Sequence, residues 1–204
     1  MTCVVGLIDN ESGTVYMGGD SAAYYSDGTI RCRADPKVFI KTNNKFIYGF
    51  CSSFRMGDIL KHYFVEPEHP QDMPIDDYMR VTYIDALQVA FKQKGFHGTG
   101  KNQPDQGGNF AVGYAGKLFT VESDFQVAES LEPHTALGSG AREAMGSLFS
   151  TQKTKMSSEA RILLALESAE KYTSGVRAPF TIKSLNWAEK RLSVIDEIIT
   201  FIEG

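Results

Sequence analysis

Thr2 holds a hydroxyl and, if Met1 is removed, a free α-amine on the same residue. A second residue as small as threonine is one that a cytosolic aminopeptidase leaves exposed by taking off the initiator Met. An α-amine titrates near about 7.7–8.0, so a useful share is neutral at pH 7 and accepts a proton from a hydroxyl. A threonine activated by its own amine is a nucleophile for acyl transfer. Taken alone, Met-Thr reads more simply as the start of an edge strand, so the rest of the chain has to carry the argument.

Other chemistry is sparse. Cys3, Cys32 and Cys51 are odd in number and widely spaced, which favours reduced thiols in a cytoplasm over a disulfide framework. The four histidines (His62, His69, His97, His134) add no zinc-ligand spacing, so no metal and no cofactor is expected. A net charge of −4 and a pI near 5.6 argue against nucleic acid or an anionic membrane as the main partner. No apolar stretch approaches the roughly 18 residues of a membrane span. The N-terminus lacks a basic region followed by an apolar core, so no secretory signal is expected. The 204 residues suit one domain, 1–204, of ordinary globular composition.

The elements that must position Thr2 follow from periodicity. Residues 2–9 and 14–21 read as strands joined by "NESG", and 37–42 and 45–53 as a hairpin across "NN". Helical spacing appears over 54–64, and a proline-rich stretch, "EPEHPQDMP", must end it. A longer amphipathic helix is expected over 75–95, with Val81, Ile84, Leu87 and Phe91 on one stripe and Tyr78 at its edge. After a loop at 96–108, strands are expected over 109–115, 117–123, 125–130 and 134–140. Helices follow at 141–150 and 157–173, then a strand at 178–185 and a terminal helix at about 187–203. Grouped strands and grouped helices suit an α+β layered domain, with two antiparallel sheets each covered outside by helices.

Five short segments add to this: "MTCVVGL", "GGDSA", "DPKVF", "YGFCSS" and "ALGSGA". In this order and spacing over residues 1–150 the chain resembles the proteasome β-subunit family, most closely its bacterial HslV-type branch. The likeness is looser to about residue 185. It implies a four-layer αββα sandwich, the N-terminal-nucleophile hydrolase fold, and a threonine endopeptidase. By that resemblance Thr2 is the nucleophile and its amine the base. Lys37 lowers their pKa values, Asp20 orients Lys37, Gly49 offers its N–H to the oxyanion, and Ser139 bonds the amine. Ala23, Ile47 and Cys51 would line the pocket for the residue before the scissile bond, and small neutral walls predict apolar side chains there. The resemblance also implies stacked homo-oligomeric rings of six or seven, an AAA+ unfoldase partner, and peptide or unfolded-protein substrates.

The chain departs from that pattern in several places. The family's carboxylate before a Ser-Gly step falls on Lys171, with Glu170 one residue away. Cys3 stands where Thr is common, and 66–74 and 96–108 are longer than in compact bacterial forms. Two alternatives therefore stay open: a non-catalytic ring or scaffold subunit, and a small-amide hydrolase on the same fold.

Overall fold

The computed structural model describes residues 2–96 and 107–187. In chain order the strands of the first half are β1 (Cys3–Ile8), β2 (Val15–Gly19), β3 (Ala22–Tyr24), β4 (Ile30–Cys32), β5 (Val38–Ile40) and β6 (Phe46–Phe50). Helix α1 (Phe54–His62) follows, then α2 (Ile75–Asp77), a π-helical turn (Tyr78–Tyr83) and α3 (Ile84–Gln93). The second half runs β7 (Phe110–Tyr114), β8 (Lys117–Val121), β9 (Val127–Glu129), β10 (His134–Gly138), α4 (Ala141–Thr151), α5 (Ser158–Tyr172) and β11 (Thr181–Leu185). The terminal helix expected over about 187–203 lies, beyond residue 187, outside the described residues, as does most of the 96–108 loop.

Two antiparallel sheets form the centre, one in the order β10-β1-β2-β11 and the other β5-β6-β7-β8-β9. Strand alternation gives each sheet two apolar faces. On β1, Cys3, Val5 and Leu7 pack outward against Ala144 and Leu148 of α4 and Ile162 and Leu166 of α5. On β6, Phe46, Tyr48 and Phe50 pack outward against Met56 and Leu60 of α1 and Leu87 and Phe91 of α3. Between the sheets lie Val15, Met17, Val38, Ile47, Ala111 and Leu118. The result is the expected αββα sandwich. None of the helices among the described residues is long and apolar enough to cross a membrane.

Two features differ from the sequence expectation. The helix over 75–93 contains a π-helical turn, so its buried face passes from Tyr78 to Tyr83, five residues on, before Leu87 and Phe91 resume the four-residue step. The wider turn rotates Val81 out of the stripe, and it is 54% exposed. The hairpin of β3 and β4 has strands of three residues, too short to show a period.

Candidate active site

Thr2 precedes β1, and alternation puts its side chain on the face of Val4, turned toward the second sheet. Pairing of β1 with β2 brings Val4 opposite Gly19, so Asp20 emerges beside Cys3. Pairing of β1 with β10 sets Cys3 opposite Gly138 and delivers Ser139 to Thr2. Lys37 enters from the second sheet, just before β5. At Gly138, with φ of +94°, a Cβ would stand 2.2 Å from the Thr2 carbonyl oxygen, so this crossing requires glycine.

Lys37 Nζ donates to Thr2 Oγ1 at 3.1 Å and to Asp20 Oδ1 at 2.6 Å. The Lys37 and Asp20 side chains are 1% and 0% exposed. Asp20 Oδ1 also accepts from Cys3 N (3.0 Å), and Oδ2 accepts from Ala22 N (3.0 Å) and Arg177 N (3.3 Å). Burial pushes the Lys37 pKa below the ordinary lysine value, and the Asp20 carboxylate pulls it part of the way back. Thr2 N donates to Ser139 Oγ at 3.2 Å, while Ser139 Oγ (3.4 Å) and Gly140 N (3.3 Å) donate to Thr2 O. With Met1 in place that nitrogen is a peptide N–H, standing where the α-amine of a shortened chain would be.

Beside Thr2 is a cleft of about 180 Å³, lined by Thr2 and Lys37, by Ala23 and Tyr24, and by residues 50–54. Ala23 and Cys51, two of the residues the resemblance named for a substrate pocket, are among those lining it. Burial pushes the Cys51 thiol up to about 11, which keeps it protonated at neutral pH.

Two expected residues do not reach the cleft. Ile47 is fully buried between the sheets with Val15 and Met17, because β6 turns its odd-numbered residues that way. Gly49 sits inside the ladder, paired with Val38 on one side and Ala111 on the other, so its N–H serves the sheet. Its lack of a side chain serves packing, since a Cβ there would lie 2.5 Å from Val4 Cγ1.

The residue that does reach the cleft is Ser52. It turns the chain from β6 into α1 with φ of +69°. Its Oγ accepts from Asn109 N at 3.2 Å, Ser53 N closes the turn on Cys51 O, and no acceptor among the described residues takes the Ser52 N–H. Ser52 is not a glycine, so its residue type gave no signal for the positive φ, which belongs to the tight turn that Ser53 N closes on Cys51 O just before the helix cap at Ser53. Neither Lys171, on which the family's carboxylate position falls, nor Glu170 beside it bonds to Thr2 in the structure. Glu170 Oε1 accepts from Ala178 N at 2.8 Å, and Lys171 is exposed over the Tyr172 ring.

No family model matches the chain, and no curated protein matches it in sequence. Solved structures do match. BPH of Thiobacillus denitrificans superposes with a TM-score of 0.74 at 16% identity, covering 91% of this chain and 98% of its own. The same protein in complex with epoxomicin gives 0.73 at 17% identity. Eukaryotic HslV from Trypanosoma brucei gives 0.64 at 14% identity, covering 91% and 99%. Anbu, an ancestral β-subunit from Yersinia bercovieri, gives 0.62 at 10% identity, covering 91% and 82%. The fold is that of the proteasome-type N-terminal-nucleophile hydrolases. Within that fold, the Thr2–Lys37–Asp20 group occupies the open end between the two sheets, where the strands leave room for a cleft.

Proposed function

We propose that this chain is a threonine peptidase subunit whose nucleophile is Thr2 after loss of Met1. The observation that carries the reading is the buried Lys37 ammonium, bonded to Thr2 Oγ1 on one side and to Asp20 on the other. A positive charge at 3.1 Å from a hydroxyl stabilises the alkoxide more than the alcohol. The neutral Thr2 amine takes the hydroxyl proton, directly or through one water. Oγ1 then attacks a peptide carbonyl, the amine product leaves with that proton, and water hydrolyses the acyl ester. The Ser52 N–H, which has no acceptor among the described residues and belongs to a residue lining the cleft, is the donor for the tetrahedral oxyanion in place of Gly49. Ser139 orients the amine and bridges it to the Thr2 carbonyl. Ala23 and Cys51 form small walls for the residue before the scissile bond, which suits an apolar side chain.

The fold further supports assembly into stacked rings with the clefts facing inward, fed by an unfoldase. Epoxomicin, bound by the Thiobacillus protein, is the natural probe. Intact mass is expected to show loss of Met1 and one epoxomicin adduct, and fluorogenic peptides to be cleaved by the wild type but not by Thr2→Ala. Turnover that survives Thr2→Ala refutes the mechanism. A retained Met1 with no turnover points instead to the non-catalytic ring subunit. Turnover of small amides without cleavage of unfolded protein points to the amidase.

A further inference from the structure

The last turn of α5 and the chain that follows it form a brace for Asp20. Arg177 N donates to Asp20 Oδ2 at 3.3 Å, so one of the carboxylate's four donors comes from this distant segment. The next peptide unit, Arg177–Ala178, is held from both sides. Its carbonyl accepts from Ser21 N (3.0 Å) and Ser21 Oγ (3.2 Å), and its N–H donates to Glu170 Oε1 at 2.8 Å. A peptide unit is planar, so fixing its N–H also fixes the direction of its carbonyl. Val176 is fully buried against Gly140 and anchors the near side of the segment in the core. Past it, the side-chain anchor from α5 is Glu170.

We propose that Glu170 is a positioning residue for the Asp20–Lys37–Thr2 group, acting through the Arg177–Ala178 peptide rather than by contact with Thr2. Glu170 aims the N–H, the carbonyl on the same plane holds Ser21 beside Asp20, and the adjacent N–H holds Asp20 itself. The carboxylate is used as an acceptor, not as a charge near the nucleophile. Glutamine keeps that acceptor and alanine removes it. Lys171 carries no acceptor and points to Tyr172, so the function cannot pass to the neighbouring residue. The effect on turnover rests on the threonine-peptidase reading, whereas the effect on Asp20 does not.

The test compares full-length wild type, Glu170→Ala and Glu170→Gln by amide hydrogen exchange, peptide turnover and Tm. In Glu170→Ala, exchange at Arg177 and Ala178, and at Cys3 and Ala22, which donate to Asp20, is expected to quicken about tenfold while β6 exchanges as before. The kcat is expected to fall about five- to twentyfold with KM within about twofold, the mark of a misplaced reacting group rather than lost binding. Glu170→Gln is expected to restore both readouts to near wild type. Unchanged exchange at Cys3 and Ala22 in Glu170→Ala overturns the proposal. So does equal loss in the glutamine variant, or faster exchange throughout β6 with a lowered Tm, which marks general destabilisation. Turnover that persists in Thr2→Ala refutes the peptidase reading alone, and the exchange pattern still decides the role of Glu170.

Discussion

A lysine and an aspartate with almost no exposure, 2.6 Å apart, are stable only as a pair. Removing one partner leaves a buried charge uncompensated, at a cost of about 3–5 kcal/mol. Lys37→Met is therefore expected to lower Tm and to cut peptide turnover at least about a hundredfold. The double variant Lys37→Met/Asp20→Asn removes both charges. Calorimetry should show part of the Tm recovered, with turnover still absent. Recovery of turnover in the double variant would deny Lys37 its role.

The cysteines give a second residue-level prediction. Burial, with the Asp20 carboxylate next in effect, raises Cys3 to about 12, and burial raises Cys51 to about 11. At pH 7.5 a thiol of pKa about 11 is roughly one part in three thousand thiolate. Iodoacetamide should therefore label the exposed Cys32 and spare the other two, as peptide mapping would show. The same shifts act on stability. The folded state holds these protons more tightly than the unfolded chain, whose thiols titrate near 9.0. That stability is complete below about pH 9 and is lost as pH rises toward about 11–12. Cys3→Ala should flatten the alkaline fall in Tm.

At the scale of the element, two glycines stand where a neighbour comes close, Gly49 between the two sheets and Gly138 beside Thr2 within the β1–β10 pair, and they should respond differently. Gly49→Ala puts a methyl group 2.5 Å from Val4 Cγ1, inside the packed layer. Overpacking of this kind costs about 1–3 kcal/mol, which lowers Tm by several degrees and leaves the Thr2 contacts in place. Gly138→Ala meets Thr2 O at 2.2 Å with an unfavourable φ, so relief requires Thr2 itself to move. Per folded molecule, its kcat is expected to fall at least tenfold further than that of Gly49→Ala. Equal kcat values for the two would mean that the crossing of β1 and β10 does not set the nucleophile. The π-helical turn acts on the other layer, where it brings Tyr83 OH to Tyr48 OH at 3.1 Å. Tyr48 OH in turn donates to Glu66 Oε1 at 2.8 Å. This chain of hydroxyls ends in a carboxylate and satisfies polar atoms inside an otherwise aromatic core.

For the molecule as a whole, the sandwich leaves large apolar side chains in water. Val65 is 82% exposed on the α1 side, and Phe149 and Tyr172 are 70% and 72% exposed on the α4–α5 side. Both outer layers therefore carry surface that association would cover. Sedimentation is expected to give a species several times the 22.5 kDa of one chain, with a Tm that rises with protein concentration. A monomer at micromolar concentration would refute the ring.

Periodicity and turns were enough to specify the layered α+β architecture, because they depend on local spacing; Asp20, Lys37 and Ser139 were named only through the family resemblance of five short motifs, and the structure gathers them around Thr2. The face of Val81 was not legible, since one extra residue in a helical turn leaves the composition unchanged and rotates every later side chain. Gly49 and Ser52 show the same limit at the cleft. The quoted "YGFCSS" marks the corner beside the cleft, but which N–H lacks an acceptor among the described residues depends on where the ladder ends, and that is set by β5 and β7 lying on either side of β6. Glu170 beside Lys171 was an ambiguity of register in the sequence. In the structure Glu170 Oε1 accepts from Ala178 N at 2.8 Å, a contact that exists only once α5 and the segment after it have folded back on Asp20.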